Sequence, residues 1–349
     1  NSFHLVIAQE KNNHTEVIFR QKQSVKLVSG LDEKNNINDK SIELAMQCLK
    51  QFSSSFIDLV NCQVAVVATY AFRQARNSQK IIKQAAEIIH HPIEIISGKR
   101  EAELIFFGVT HTNLVQKPTL IIDIGGGSTE LIIGKQFTPL LSQSVALGCV
   151  SFSQKYFPSG NISKQNIMAA KAQAEQVLQA CVTPYKDHGW QNALGTSGSI
   201  KAILNSLVHL GYAHETIELS ALYKLRQKMI KLGHTNFIDE LGIKKDRASI
   251  FPAGLSILIA CFEVLSVHKM NFTTGALREG LLYDIVGRIQ HEDVRERTIQ
   301  SMQLRYDIDQ AHAQQVEETA LYIYALIAGQ WGIKNTINEI IFILTFFDF

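Results

Sequence analysis

A run of three glycines between two short apolar segments constrains the fold of this chain more than any other feature. Residues 119–122 and 131–133 have the β-branched composition of buried strands, and the sequence between them reads Asp123-Ile-Gly-Gly-Gly-Ser-Thr-Glu130. A connection this short predicts a hairpin with the glycines at its tip. Its backbone N–H groups could bind an anion, with Asp123 and Glu130 beside them to hold a divalent cation or orient a water. A structural turn whose glycines only supply positive φ angles is the alternative.

Strand-like and helix-like segments alternate along the chain up to about residue 287. This alternation predicts an α/β fold, in which a second α/β unit begins near Thr119. Residues 292–302 and 309–326 have helical patterns, and strand signals stop before them, so a separate all-helical segment is expected there. The earlier segments are 3–8, 16–19, 64–68 and 93–96 for strands, and 41–52, 78–90, 100–107 and 163–181 for helices.

Composition and charge exclude several classes of function. The 34 basic and 32 acidic residues give a net charge of +2, and no Lys/Arg run is long enough for a nucleic-acid arm. No nucleic-acid polymer is therefore expected as a partner. The five cysteines and 12 histidines lack the spacing of metal or redox sites. No charged and then apolar leader opens the sequence, which indicates a cytoplasmic protein.

Two further glycine turns precede helix-like sequence. Gly195-Thr-Ser-Gly-Ser199 follows a short strand pattern, and its amides and hydroxyls would lie at a helix N-terminus, where an anion is favoured. An ordinary N-cap is the alternative for this turn. The other turn is Thr273-Thr-Gly-Ala-Leu-Arg-Glu-Gly280, whose charged pair would on its own be a surface ion pair. Arg73 and Glu101 would on their own be solvated charges.

The glycine turns do not match the common nucleotide-binding or hydrolase loops. No Gly-Lys-Ser/Thr follows the three glycines, which excludes a Walker loop, and a Rossmann fingerprint would need Gly where Glu130 stands. Ser199 stands where the nucleophile elbow requires its last glycine. Ser197 is therefore a candidate phosphate contact and not a candidate nucleophile.

A short internal repeat relates the two α/β units. Asn1-Ser-Phe-His-Leu-Val-Ile-Ala8 aligns with Gly127-Ser-Thr-Glu-Leu-Ile-Ile-Gly134. The match indicates either a duplication or a chance similarity of two apolar strands. A duplication would mean that the sequence begins inside its first phosphate loop.

Five motifs occur in order along the chain. They are Ile95-Ile-Ser-Gly98 with Glu101-Ala-Glu-Leu104, Asp123-Ile-Gly-Gly-Gly-Ser-Thr-Glu-Leu131, Leu147-Gly-Cys-Val150, Gly195-Thr-Ser-Gly198 and Gly275-Ala-Leu-Arg-Glu-Gly280. Together they closely resemble the exopolyphosphatase and guanosine-pentaphosphate phosphohydrolase family, and the resemblance runs from residue 1 to about residue 308 in matching order and spacing. The family's N-terminal Asp-Leu-Gly-Ser strand and its longer C-terminal pattern are missing, so a chain truncated at both ends is expected.

The resemblance implies an α/β architecture of two actin-like (ribonuclease H-like) lobes with a cleft between them, followed by a truncated all-helical segment. We expect a first lobe over residues 1–105, a second lobe with the phosphate loops over residues 106–288, and the helical segment over residues 289–349. The family resemblance also implies a homodimer for the full-length protein. It implies a cytoplasmic location, with a peripheral position at the inner membrane face as the alternative.

The same resemblance implies a role for each candidate residue. Glu101 and Glu130 fall on two essential glutamates, with Glu101 expected to activate the water, and Asp123 is the implied ligand of Mg2+. The implied phosphate contacts are Arg73 and the amides of two loops, which are those of Gly125, Gly126, Gly127 and Ser128 and those of Thr196, Ser197, Gly198 and Ser199.

The activity implied by the resemblance is hydrolysis of the terminal phosphoanhydride bonds of inorganic polyphosphate, with release of orthophosphate. Such a reaction needs charge neutralisation, in-line placement and an oriented water, which these residue types can supply. Three alternatives remain: a guanosine-pentaphosphate 5′-phosphohydrolase, a phosphate-binding fragment without catalysis, and an actin-like ATPase or sugar kinase. Asp123-Ile-Gly-Gly-Gly-Ser together with Gly148-Cys-Val-Ser-Phe152 is closer to the polyphosphate branch.

Overall fold

The computed structural model describes residues 2–11, 14–59 and 62–290, together with 309, 311, 312, 315, 316, 318–320, 322, 323 and 326. The chain divides into two compact units, Asn1–Ala8 with Val17–Ile285 and Gln9–Glu16 with Val286–Phe349. All of the candidate site residues lie in the first unit. The helix expected over residues 292–302 lies outside the described residues, whereas the described residues from 311 to 326 are helical.

The strands and helices follow the order that the sequence patterns predict. The strands are β1 Ser2–Lys11, β2 His14–Ser24, β3 Val66–Ala68, β4 Ile93–Ile95, β5 Thr119–Ile124, β6 Thr129–Lys135, β7 Thr138–Val145, β8 Asn192–Thr196, β9 Thr216–Glu218 and β10 Lys269–Phe272. The α-helices are α1 Asp39–Ser53, α2 Tyr70–Gln74, α3 Ser78–Ile89, α4 Gly98–Thr110, α5 Cys149–Tyr156, α6 Lys164–Gln179, α7 Val182–His188, α8 Ser197–His209, α9 Leu219–Leu232, α10 Lys245–Ala248, α11 Phe251–Leu265 and α12 Leu277–Gln290.

A six-stranded sheet in the order β7-β6-β5-β8-β10-β9 forms the centre of the first unit. β5 pairs antiparallel with β6 and parallel with β8, and β8 pairs parallel with β10. Every residue of β5 is buried, as expected for a central strand covered on both faces. The predicted hairpin with the glycines at its tip is confirmed. β1 pairs with β2 and β3 pairs with β4 in two small sheets.

Two helices show how the sequence pattern sets a helix boundary and a buried face. Ser163 is the N-cap of α6, because its side chain accepts a hydrogen bond from the amide of Asn166 at 3.0 Å. α11 is buried at 14 of its 15 positions, as its apolar composition on all sides requires. Within the described part of the chain, no helix is both long and apolar enough to cross a bilayer.

Helices α4 and α12 pack with their backbones in direct contact. A Cβ atom added to Gly280 would overlap the carbonyl oxygen of Leu104, and one added to Gly108 would overlap that of Ala276. This contact explains the Gly275-Ala-Leu-Arg-Glu-Gly280 motif as a packing device for α4. The expected lobe boundary at residues 105 and 106 falls inside α4, and the division into lobes stays a prediction.

Gly280→Ala should lower the free energy of unfolding by about 1–3 kcal/mol, because the added methyl group forces α12 away from α4. Gly254→Ala is the matched control, since it also places Ala in a helix but meets its nearest neighbour, Cβ of Ser199, at an ordinary 3.6 Å. Alanine has the higher helix propensity, so the control should be neutral or stabilising. Urea unfolding of the three proteins measures both effects. Equal stability of the two variants would contradict the close helix contact.

Candidate active site

Two buried carboxylates face each other across the glycine hairpin. Asp123 on β5 is the direct register partner of Glu130 on β6, and directly opposed side chains of an antiparallel pair lie on the same face. Burial, with a further contribution from the charge of Glu101, raises the pKa of Asp123 to about 7. Burial and the charges of Glu101 and Asp123 raise the pKa of Glu130 well above its usual range. The three carboxylates are therefore close enough to repel one another.

Glu101 is held beside this pair at the first turn of α4. The helix begins at a fixed point because the side chain of Ser97 accepts a hydrogen bond from the amide of Arg100 at 3.1 Å. Arg73 at the end of α2 donates from Nη1 to Oε2 of Glu101 at 2.8 Å and to the carbonyl of Ile96 at 3.0 Å. Burial nevertheless outweighs the nearby guanidinium, so the pKa of Glu101 is raised. A carboxylate of raised basicity is suited to accept a proton.

Two hydroxyl groups orient Glu130. Ser128 and Ser144 both donate from Oγ to Oε1 of Glu130, each at 2.7 Å. The phosphate contact implied for Ser128 is its amide, and its hydroxyl serves a different purpose, since it donates to the glutamate. Ser144 was not predicted, because only the pairing of β7 with β6 brings it opposite Glu130. Both hydroxyls bind the same carboxylate oxygen of Glu130, so neither of them occupies its second oxygen, Oε2.

The glycine loop is oriented by the start of α5. The amide of Cys149 donates to the carbonyl of Gly125 at 3.0 Å, and the amide of Val150 donates to that of Gly126 at 2.9 Å. In a trans peptide the N–H points opposite to the C=O, so the amides of Gly126 and Gly127 point away from α5. Within the part of the chain that the structure describes, neither amide donates to a backbone carbonyl. Two free amides on one side of a loop are the feature of an anion-binding nest.

The φ angles exclude a turn whose glycines only supply positive φ. None of the three glycines from 125 to 127 lies in the left-handed region of φ. Close packing explains Gly127, because a Cβ atom there would overlap the ring of Tyr70. A Cβ atom on Gly148 would overlap Gly126 and Gly127, which explains why glycine precedes Cys149 in the Leu147-Gly-Cys-Val150 motif.

The second predicted loop lies beside the first, at the same edge of the sheet. Thr196 is the register partner of Asp123 in the parallel pair of β5 and β8. The sequence interpretation was wrong in one respect, since Gly195 and Thr196 belong to β8 and α8 begins directly at Ser197. Ser197 makes the turn with a φ of 89°, which is uncommon for a residue that has a side chain. Backbone angles of this kind are often found at functional sites.

Part of this second loop is occupied by internal hydrogen bonds. Thr196 donates from Oγ1 to the carbonyl of Gly275 at 2.7 Å, and Ser199 donates from Oγ to the sulfur of Cys149 at 3.4 Å. Ser197 Oγ accepts weakly from the amide of Ile200 at 3.4 Å, in the manner of an N-cap. The amides at the start of α8 are therefore better placed than these hydroxyls to bind a phosphate.

Arg247 lies next to Gly198 and forms a basic group with Lys22 and Arg278, and it is not among the predicted site residues. A Cβ atom on Gly198 would overlap the guanidinium of Arg247. Burial, and then the charges of Lys22 and Arg278, lower the pKa of His4 to about 4. Arg247 stands in the run Lys244-Lys-Asp-Arg247, which has no local signal that separates it from a solvated surface charge. Its position depends on tertiary contacts alone.

The donor set at the hairpin suits Mg2+ in part. Among the described residues, no group of three His, Cys, Asp or Glu side chains is spaced as a complete metal site. Mg2+ commonly uses one or two carboxylates and completes its shell with water and substrate phosphate, so a three-residue cluster is not required. The raised pKa of buried Asp123 shows that its negative charge lacks compensation within the protein, which a cation would provide.

Comparison with known proteins gives one family. A model of the Ppx/GppA phosphatase family matches residues 6–289. The crystal structure of the Aquifex aeolicus Ppx/GppA family member is 20% identical, with a TM-score of 0.70 over 83% of this chain and 96% of that chain. An exopolyphosphatase from Cytophaga hutchinsonii is 23% identical, with a TM-score of 0.74 over 84% of this chain and 96% of that chain.

These structures are similar in fold, and the expected actin-like α/β fold class is confirmed. The family model covers the sheet, the glycine hairpin and every predicted site residue. Since the match extends over most of the sequence, the chain belongs to the Ppx/GppA phosphatase family.

Proposed function

We propose that this protein is an exopolyphosphatase that releases orthophosphate from the ends of inorganic polyphosphate in the presence of Mg2+. Membership of a phosphatase family supports the reaction class. The observation that carries the proposal is the gathering of Glu101, Asp123 and Glu130 beside the free amides of the glycine loop. Carboxylates that repel one another next to an anion site are explained if a cation and a phosphate bind there together.

Substrate binding would use the free amides of the glycine loop together with two arginine side chains. The amides of Gly126 and Gly127 would receive oxygens of the terminal phosphate, and the guanidinium of Arg73 would approach the same group from α2. The amides at the start of α8 and the guanidinium of Arg247 would hold the following phosphates. Mg2+ bound at Asp123 would neutralise charge on the phosphate oxygens.

Glu101 would orient the attacking water and accept its proton. The water oxygen forms the new bond to the terminal phosphorus, and the bridging P–O bond breaks, so the shortened chain leaves with the bond's electron pair. Burial raises the pKa of Glu101, which makes it a stronger base than an exposed glutamate. Glu130, fixed by Ser128 and Ser144, would help to hold the water or the hydrated cation in place.

Steady-state release of orthophosphate from polyphosphate and from guanosine pentaphosphate tests the proposal. We expect a kcat/KM at least about tenfold higher for polyphosphate. Arg247 lies beside Gly198, and burial together with the charges of Arg247 and Arg278 lowers the pKa of Lys22. This basic group favours a substrate with several consecutive phosphates. A higher kcat/KM for the nucleotide would favour the guanosine-pentaphosphate alternative. Thermal stabilisation by polyphosphate without any release would favour the non-catalytic alternative.

Ser144→Ala should lower kcat about tenfold with little change in KM, because it removes one of the two hydrogen bonds that orient Glu130. Ser142→Ala is the matched control, since Ser142 lies two residues earlier on the same face of β7 and pairs with Ile132 instead. Steady-state kinetics on polyphosphate measure both variants. The role assigned to Ser144 is wrong if the two variants have the same kcat.

A further inference from the structure

Tyr70 is an aromatic residue whose side chain contacts the glycine loop. It is the first residue of α2, three positions before Arg73, and its side chain is half-buried. A Cβ atom added to Gly127 would overlap Cδ1 and Cε1 of the Tyr70 ring. The edge of the ring therefore occupies the space that a side chain at position 127 would need.

The same ring also lies close to the arginine of the site. Cζ of Arg73 is 6.0 Å from the centroid of the Tyr70 ring, within the range of a cation–π interaction. The guanidinium also donates hydrogen bonds to Glu101 and to the carbonyl of Ile96. Tyr70 is thus placed against both of the groups that are expected to take the terminal phosphate.

We infer that Tyr70 is a positioning residue that sets the separation between Arg73 and the glycine loop, and that it dictates glycine at position 127. The inference rests on the proposed function for its kinetic consequence but not for its structural part. A rigid ring has few rotamers, so it fixes the spacing of its two neighbours at a low cost in conformational entropy. A terminal phosphate must fit the gap that this spacing leaves.

Tyr70→Ala should raise KM for polyphosphate by about threefold to tenfold. Arg73 loses its aromatic neighbour, and Gly127 loses the ring that packs against it. Tyr70→Phe keeps the ring and should restore a KM close to that of the wild type. The control for losing a half-buried tyrosine is Tyr212→Ala, since Tyr212 also has a cation near its ring, Lys224 at 5.8 Å. An unchanged KM in Tyr70→Ala, or the same rise in Tyr212→Ala, would overturn the kinetic part.

A double-mutant cycle decides the structural part without reference to activity. Gly127→Ala should lower Tm by several degrees, because the methyl group collides with the ring. In the Tyr70→Ala background the same substitution should cost much less, so the double variant should be more stable than the sum of the two single effects predicts. Additive losses of Tm would overturn the inference. If Tyr70→Ala does not fold, Tyr70→Leu replaces it in the cycle.

Failure of the proposed function gives a different pattern. A wild-type protein that releases no orthophosphate would refute exopolyphosphatase activity, whereas the thermal cycle would still accept or reject the Tyr70–Gly127 contact. Active wild-type protein with an additive cycle would keep the proposed function and reject the role of Tyr70.

Discussion

Glu101→Gln is expected to reduce kcat for orthophosphate release by about a hundredfold to ten-thousandfold, the range that a general base contributes. The amide has nearly the same size as the carboxylate but cannot accept the proton of the attacking water. Affinity for polyphosphate should change little, because the amides of the glycine loop and Arg73 remain in place. Removal of one charge from the carboxylate group also eases the repulsion that raises the pKa of Asp123 and Glu130.

The matched control for Glu101→Gln is Glu103→Gln in the same helix. Glu103 lies 3.8 Å from Arg100 in a partly exposed i,i+3 pair, so its loss should change kcat and stability only slightly. Steady-state kinetics and calorimetric binding of polyphosphate separate the two properties. A Glu101→Gln protein with more than about a tenth of the wild-type kcat would remove Glu101 from the proton-accepting role.

Asp123→Asn is expected to abolish Mg2+-dependent turnover and to stabilise the protein above neutral pH. Because burial raises the pKa of Asp123 from 3.8 to about 7, the folded protein holds this proton more tightly than the unfolded chain. The carboxyl group therefore destabilises the folded state progressively as pH rises from about 4 to about 7, and fully above that. Over this range the free energy of unfolding falls by roughly 4 kcal/mol. An asparagine, which does not ionise, avoids it.

Urea unfolding at a series of pH values measures this difference in stability. The gap between Asp123→Asn and wild type should grow between about pH 4 and pH 7 and then remain constant. The exposed Asp187→Asn is the control for the loss of one carboxylate. Mg2+ should raise the Tm of the wild type and of this control, but not that of Asp123→Asn. A gap that shrinks with rising pH would contradict the raised pKa of Asp123.

The architecture of the site could be predicted from the sequence because its main elements are local. Apolar periodicity predicts β5, β6 and α6, and the glycines between two strands predict the hairpin. The family resemblance implies that Arg73, Glu101 and Asp123 belong to one site. In the structure Arg73 forms an ion pair with Glu101, and the charge of Glu101 contributes to the raised pKa of Asp123. The roles of these residues remain predictions.

The remaining features depend on contacts between distant segments. Ser144 orients Glu130 through the register of β7, and Arg247 reaches Gly198 from a short charged helix. Neither position has a local pattern that distinguishes it from ordinary polar surface. Two glycines are required for close packing, whereas the sequence pattern indicates turns at these positions. Gly127 makes room for Tyr70, and Gly280 makes room for the backbone of α4.

Orthophosphate release from polyphosphate, measured with and without Mg2+ on both site variants and their controls, tests whether this group of carboxylates carries out the reaction. We expect Mg2+-dependent release by the wild type, Glu103→Gln and Asp187→Asn, and a loss of at least about a hundredfold in Glu101→Gln and Asp123→Asn. Release at the wild-type rate by either site variant would contradict the assignment of the reaction to this group of carboxylates.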